Sequence, residues 1–209
     1  MRATTSLWLL AACVAAGCSS GGLPVTRYYT LDVPGEVQSP ARPGSPADLP
    51  ALAVEALRVS PPYDQDRLVY RASPSATEVG FYSYHRWAAP LGRLAQVALV
   101  DALQGIDGVA SVREIGSREF DLVLGGRIVH VEEIASALAS EARIAIELSL
   151  RTDGGDQVWA GSFNASEPGR FANGGEVGRA LHRVFQGLVA EAKSGLEQVL
   201  AASASPATR

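Results

Sequence analysis

Ser140-Glu141-Ala142-Arg143-Ile144-Ala145-Ile146-Glu147-Leu148-Ser149-Leu150-Arg151 is the stretch whose reading decides the fold. Ile144, Ile146, Leu148 and Leu150 share one parity; Arg143, Ala145, Glu147 and Ser149 share the other. A period of two sustained over this length predicts a half-buried antiparallel strand. Asp153-Gly154-Gly155-Asp156 follows and predicts a hairpin turn. The returning strand is Gln157 to Ala165, with Trp159 and Phe163 on one side.

Moving toward the N-terminus, Phe120 to Ile134 is a long apolar strand interrupted by Gly125-Gly126. Leu122 and Leu124 have one parity, Val129 and Val131 the other, and a bulge at the glycines would bring all four to one face. No helix opens after that glycine pair and no Lys-Ser/Thr follows it, which excludes a phosphate loop. Ala110 to Ile115 reads as a short strand. Pro90 to Gln104 reads as a helix, with Pro90 at its first position and Gly105 ending it. Leu91, Leu94, Ala95, Ala98, Leu99, Ala102 and Leu103 form its apolar face, and Val97 and Val100 lie on the exposed side. Earlier strands are Arg27 to Asp32, Ala51 to Val59, Arg67 to Ala72 and Val79 to Trp87, the last two a hairpin-like pair.

Toward the C-terminus, Gly174-Gly175 precede a helix over Glu176 to Leu200. Val177, Leu181, Val184, Phe185, Leu188, Ala192, Leu196 and Val199 line one arc, and Gly195 within it is expected to admit close approach of the sheet. The polar side mixes Arg179, Arg183 and Lys193 with Glu191 and Glu197, which points to core packing rather than a membrane-surface helix. The order of strands, helix, strands, helix predicts an α+β fold, a mostly antiparallel sheet with two amphipathic helices packed on one face.

The chain opens with Arg2, the one charge before Cys18, and a continuous apolar run from Leu7 to Ala16. Such a run rises only about 15 Å as a helix, about half a bilayer core, so it reads as a signal peptide rather than a spanning helix. Ala15-Ala16-Gly17-Cys18 resembles a bacterial lipobox, with residues 1–17 removed and Cys18 acylated. Ala15 stands where a larger apolar residue is usual. Two acyl chains give stable anchoring, at about 0.8 kcal/mol per buried methylene. Residues 18–27 then form the lipidated Cys and a tether, 28–202 a single domain, and 203–209 a disordered tail. Residues 34–50 carry five prolines and are expected to form a flexible loop.

Composition narrows the function classes. The sequence has 2 cysteines, Cys13 and Cys18, so the mature chain would hold no internal disulfide and no thiolate metal site. The net charge of −4, or −5 once Arg2 is removed, disfavours nucleic-acid binding. His85, His130 and His182 lie on three separate elements without metal-ligand spacing, and no Gly-x-Ser-x-Gly occurs. The expectation is therefore no catalytic residue, no metal and no cofactor.

The most distinctive segment is Asp66 to Leu91. It contains Asp66-Arg67-Leu68-Val69-Tyr70-Arg71 and Phe81-Tyr82-Ser83-Tyr84-His85-Arg86-Trp87-Ala88-Ala89-Pro90-Leu91. Arginine and aromatic side chains together suit a partner surface. By strand parity Tyr82, Tyr84 and Arg86 share a face opposite Phe81, His85 and Trp87. If Trp87 is core, the first three face outward with Arg67 and Arg71, and Trp87 and Pro90 are structural.

These motifs, with the lipobox and Tyr28-Tyr29-Thr30-Leu31, resemble the ABC-type transport auxiliary lipoproteins (PqiC-like). The resemblance covers most of the mature chain and departs at Ala89, where many relatives carry an acid. It implies a lipid-anchored periplasmic partner of an ABC transporter and an MCE-family conduit protein, in systems that move lipids or other hydrophobic molecules between membranes and support membrane integrity. Ser19, which is not Asp, implies the outer membrane. A homo-oligomer is a further expectation, since conduit components often form symmetric rings. Two alternatives stand beside this reading: a lipid carrier with an apolar pocket, and an envelope scaffold or activator of a cell-wall enzyme.

Overall fold

A computed structural model of the chain describes residues 24–33, 49–116, 120–136 and 139–204. The expected signal peptide, Cys18, most of the proline-rich segment and the last five residues lie outside the described residues. Strands β1 (Arg27–Tyr29), β2 (Ala51–Val54), β3 (Arg58–Val59), β4 (Arg67–Arg71) and β5 (Gly80–Trp87) lead into helix α1 (Leu91–Leu103). Then come β6 (Ser111–Glu114), β7 (Leu122–Ala135), β8 (Ser140–Thr152), β9 (Gln157–Gly169) and helix α2 (Gly174–Ala204). This is the α+β fold the patterning predicts.

The long ladders are antiparallel: β7 with β8, and β8 with β9. β8 is the alternating stretch, and it is central. Ile144, Ile146, Leu148 and Leu150 are each at most 2% exposed, while Arg143, Glu147 and Ser149 remain half-buried. The turn after it is made at Gly155, whose φ of 91° is a conformation glycine adopts without steric cost. The second edge of β7 is shared end to end by β2, β3 and β4, all parallel to it. β5 pairs antiparallel with β4, β1 parallel with β5, and β6 parallel with β2. The sheet is therefore mixed, its short pairings being mostly parallel.

One core joins the inward sheet face to both helices. Leu91, Ala95, Ala98, Leu99 and Leu103 of α1 are buried, as are Val177, Leu181, Phe185, Leu188, Ala192 and Leu196 of α2. α1 packs on β2, β3 and β6, α2 packs on β9, β8, β5 and β7, and the helices touch each other. No helix among the described residues is long and apolar enough to cross a membrane.

Several sequence expectations are corrected. Ala51 to Val59 is two strands, because at Glu55 to Leu57 the backbone turns to the helix: Leu57 N–H donates to the Gly92 carbonyl at 3.2 Å. The β7 irregularity falls at Val129, between Ile128 and His130, and not at the glycines. A Cβ at Gly126 would come within 2.1 Å of the Glu147 carbonyl, so that glycine serves close strand approach instead. Val129 becomes the extra residue and stays half-buried, while Leu124 and Val131 enter the core. β9 continues past Ala165 to Gly169.

At the helices, Pro90 is the cap rather than the first helical residue, and its carbonyl accepts from Arg93 and Leu94. Val100 is half-buried against the core, and Val97 alone of that pair is exposed. Gln96, on the helix and buried, donates to the Val54 carbonyl at 2.7 Å. α2 begins at Gly174, capped by Asn173, whose Oδ1 accepts from Gly175 and Glu176. A Cβ at Gly195 would meet Trp159 at an ordinary 3.4 Å, so that glycine is not required for close approach.

Candidate partner-docking surface

β5 carries the distinctive motif, and its register explains where each side chain goes. Tyr70 pairs with Gly80 and Val69 with Phe81, but Arg67 pairs with Arg86, so β5 holds extra residues between Phe81 and Arg86. That bulge overturns the simple parity. Tyr82 does not share the outward face with Tyr84 and Arg86. Its ring lies 5.7 Å from His85 edge-on, and both rings approach Gly174 at the start of α2. The Tyr82 hydroxyl donates to the buried Glu133 carboxylate at 2.5 Å. Burial first, then that bond, raises the Tyr82 pKa well above the usual phenol range.

His85 is held from the other side by β1. The Tyr29 hydroxyl lies 2.7 Å from His85 Nδ1, and the rings stack at 5.8 Å. Burial and the Arg27 charge lower the His85 pKa, favouring neutral imidazole. Gly178 gives Tyr29 its space, since a Cβ there would sit 2.6 Å from the ring. Trp87 is 4% exposed, and its backbone N–H donates to the Asp66 carbonyl at 2.6 Å. The Ala88 N–H donates to the Tyr29 carbonyl, so the motif closes β1 and the segment before β4 onto β5.

On the face away from the helices, Arg86 pairs with the exposed Asp66 at 2.5 Å. Arg67 lies over the Phe81 ring, 4.8 Å from its centroid. Tyr84 is 45% exposed, and Tyr28, beside Arg86 in register, is 64% exposed. Tyr28, Arg67, Tyr84 and Arg86 are therefore brought to one accessible region.

Arg71 is set apart from that region. Its Nε donates to Glu132 at 2.6 Å, and its guanidinium also meets the Ala76 carbonyl and the Tyr63 hydroxyl. Glu132 is fully buried and takes further bonds from Tyr63 and Arg143. Burial by itself would raise the Glu132 pKa, but the bonds from Arg143, Tyr63 and Arg71 outweigh it and hold the carboxyl below its usual range. Neighbouring His130 has a buried Nε2 without a partner among the described residues, and burial lowers its pKa. The sequence reading missed Glu132, Glu133, Tyr63 and Arg143. Two adjacent acids in the apolar strand Phe120 to Ile134 were the available signal, because a carboxylate in a covered strand needs cationic or hydroxyl partners.

A groove of about 450 Å³ opens on β7, β8 and β9 between Arg58, Arg127, Glu147, Ser149, Gln157 and Ser162. Its lining mixes these polar and charged groups with Leu148, Ala160 and two glycines, and it is an open groove rather than the enclosed cavity that buries most of a small-molecule ligand. Among the described residues no cluster of metal-ligating side chains occurs.

A family model described as the ABC-type transport auxiliary lipoprotein component matches residues 29–192. The chain belongs to that family. Auxiliary lipoproteins of this kind serve ABC-type transport, and a lipoprotein is a lipid-anchored envelope protein. A Xanthomonas campestris crystal structure assigned to DUF330 is 18% identical, covering 85% of this chain and 98% of its own, with a TM-score of 0.66. A second crystal structure, of an uncharacterized protein, is 16% identical, covering 83% and 99%, with a TM-score of 0.63. At these identities the likeness concerns the fold alone. No curated protein matches the chain.

Within the auxiliary lipoprotein family match lie all the motif residues from Tyr29 to Leu91. Trp87, Tyr29 and His85 hold strands together, while Arg86, Arg67 and Tyr84 remain accessible.

Proposed function

We propose that this auxiliary lipoprotein is anchored through Cys18 in the outer membrane and docks the periplasmic end of an MCE-type conduit served by an ABC transporter. It acts by anchoring and docking, without chemistry of its own, in transport of lipids or other hydrophobic molecules. The observation that carries the reading is the family match beginning at Tyr29, shortly after the lipobox Cys18. Tyr84, Arg86 and Arg67 supply the accessible aromatic and cationic contacts, and a homo-oligomer would repeat them around a conduit.

The experiment uses the full chain with a C-terminal tag in its native envelope. Membranes are separated by density, and the detergent-solubilised protein is captured with its partners. The expected result is outer-membrane fractionation that Cys18→Ala abolishes, with capture of an MCE protein. A Cys18→Ala variant that still fractionates with the outer membrane, or capture free of any MCE or ABC component, overturns the reading.

A further inference from the structure

The two most exposed large apolar side chains in the described structure are Val25 at 79% and Tyr28 at 64%. Both lie on or just before β1, an edge strand with β5 as its neighbour. Arg27, between them, is exposed, and so is Arg179 on α2. Arg27 from β1 and Arg179 from the start of α2 both bear electrostatically on Tyr29, and among the described residues neither forms an ion pair. Asp32, which accepts from the Thr30 hydroxyl at 2.5 Å, and Glu176, which accepts from the Ala172 N–H, keep their charge, but neither is in ion-pair contact with these arginines. This edge of an acidic chain thus carries two exposed guanidinium groups on its α2 side and the exposed Tyr28 phenol on the other.

We propose that the β1 edge, with Val25, Arg27, Tyr28 and Arg179, rests against the phospholipid headgroups of the bilayer that holds Cys18. The proposal rests on the anchor assigned above and adds the orientation of the domain on the membrane. From Cys18 to Pro24 the chain can span at most about 21 Å. A folded body of this size has a radius of gyration of about 16 Å and is about 40 Å across. The tether is too short to pass around the domain, so the β1 edge stays on its membrane-proximal side. Tethering also holds that edge at an effective concentration of about millimolar, where a weak contact is well populated. Tyrosine suits the polar boundary of a bilayer, and guanidinium groups pair with phosphate.

The test uses the mature lipidated protein in vesicles of phosphatidylethanolamine and phosphatidylglycerol. Tyr28→Cys, and Val158→Cys on β9 at the opposite edge of the sheet, are labelled with bimane, and a headgroup spin-labelled lipid is the quencher. The expected result is flotation of both variants, with quenching at position 28 several-fold greater than at 158. Arg27→Ala and Arg179→Ala each lower the docked-to-free ratio about fivefold, as does loss of an equivalent surface charge. Replacing phosphatidylglycerol by phosphatidylcholine also lowers it. A protein that does not float removes the anchor and this proposal with it. A protein that floats with position 28 no more quenched than 158 overturns the orientation while leaving the anchor standing. Quenching at 28 that ignores both arginines and the anionic lipid overturns the headgroup contact.

Discussion

Glu132 Oε1 accepts two bonds from the Arg143 guanidinium, at 2.6 and 3.1 Å across the β7–β8 ladder, with the carboxylate wholly out of solvent. Oε2 of the same group takes Arg71 at 2.6 Å and the Tyr63 hydroxyl at 2.8 Å. Four donors saturate the carboxylate and join β4, β7, β8 and the segment before β4. Removing one member of a buried ion pair leaves its partners uncompensated and costs about 3–5 kcal/mol. Glu132→Ala should destabilise by that amount in urea unfolding, and Tyr63→Phe by about 1–2 kcal/mol. A Glu132→Ala loss under about 1 kcal/mol would show that the network is not what holds this corner.

The same carboxylate makes a pH prediction. Its folded pKa lies below the unfolded value of about 4.3, so its contribution is present above that pH. It is lost as pH falls through the folded pKa, when the buried group must take a proton. Wild-type stability should therefore decline more steeply than that of Glu132→Gln below about pH 4.3. His130 and His85, whose folded pKa values are lowered, add losses that begin below about pH 6.5. Melting temperatures of the wild type and Glu132→Gln across this range check the sign. Parallel curves would rule out the linkage.

Leu148 sits at the middle of β8, 2% exposed, with Gly126 on one side and Gly161 on the other. Leu148→Ala should cost about 2–5 kcal/mol, toward the upper end because β-sheet backbone on both sides limits collapse into the cavity. Chemical denaturation measures it, with an unchanged m-value expected.

Two helical glycines should respond in opposite directions to the same methyl group. At Gly92 a Cβ would fall 2.0 Å from the Leu57 carbonyl, where backbone meets backbone. At Gly187 nothing lies within 4 Å. Gly187→Ala should stabilise by about 1 kcal/mol through helix propensity. Gly92→Ala should destabilise by about 1–3 kcal/mol, since α1 must shift from the chain between β2 and β3. Thermal unfolding of the two variants gives the comparison, and a shared sign would contradict this packing.

The legible part of the fold lay where one pattern ran unopposed. Residues 140–151 alternate without interruption, and both ladders of β8 follow from that. What escaped reading was set by backbone approach and by partners distant in sequence. The break at Glu55 to Leu57 exists because Gly92, far along the chain, lets the helix close on the Leu57 carbonyl. The Val129 bulge and the extra β5 residues are fixed by neighbouring strands, and parity within one strand carries no such information. Among the candidate site residues, Trp87 fell in the core as its placement before a helix suggests. Arg71 looked equivalent to Arg67 in sequence, yet one lies over Phe81 and the other is committed to Glu132, a residue whose partners become visible only once β4 and β7 pair.

That division separates structural from accessible motif residues, and mutation should separate them too. Tyr82 and Trp87 are bound into the fold, so Tyr82→Phe should lower stability by about 1–2 kcal/mol through the lost bond to Glu133. Tyr84 is exposed, and the Arg86–Asp66 pair is partly solvated, a setting where an ion pair contributes about 0–1 kcal/mol. Tyr84→Ala with Arg86→Ala should then leave the melting temperature nearly unchanged. If these side chains anchor the docking proposed above, the double variant should weaken capture of the conduit protein at least tenfold, since central aromatic and arginine contacts are worth about 2 kcal/mol or more each. Tyr82→Phe should retain capture at temperatures where it remains folded. A double variant that binds as tightly as wild type would move the docking surface away from β5, and one that unfolds would place Tyr84 and Arg86 among the residues that hold the sheet together.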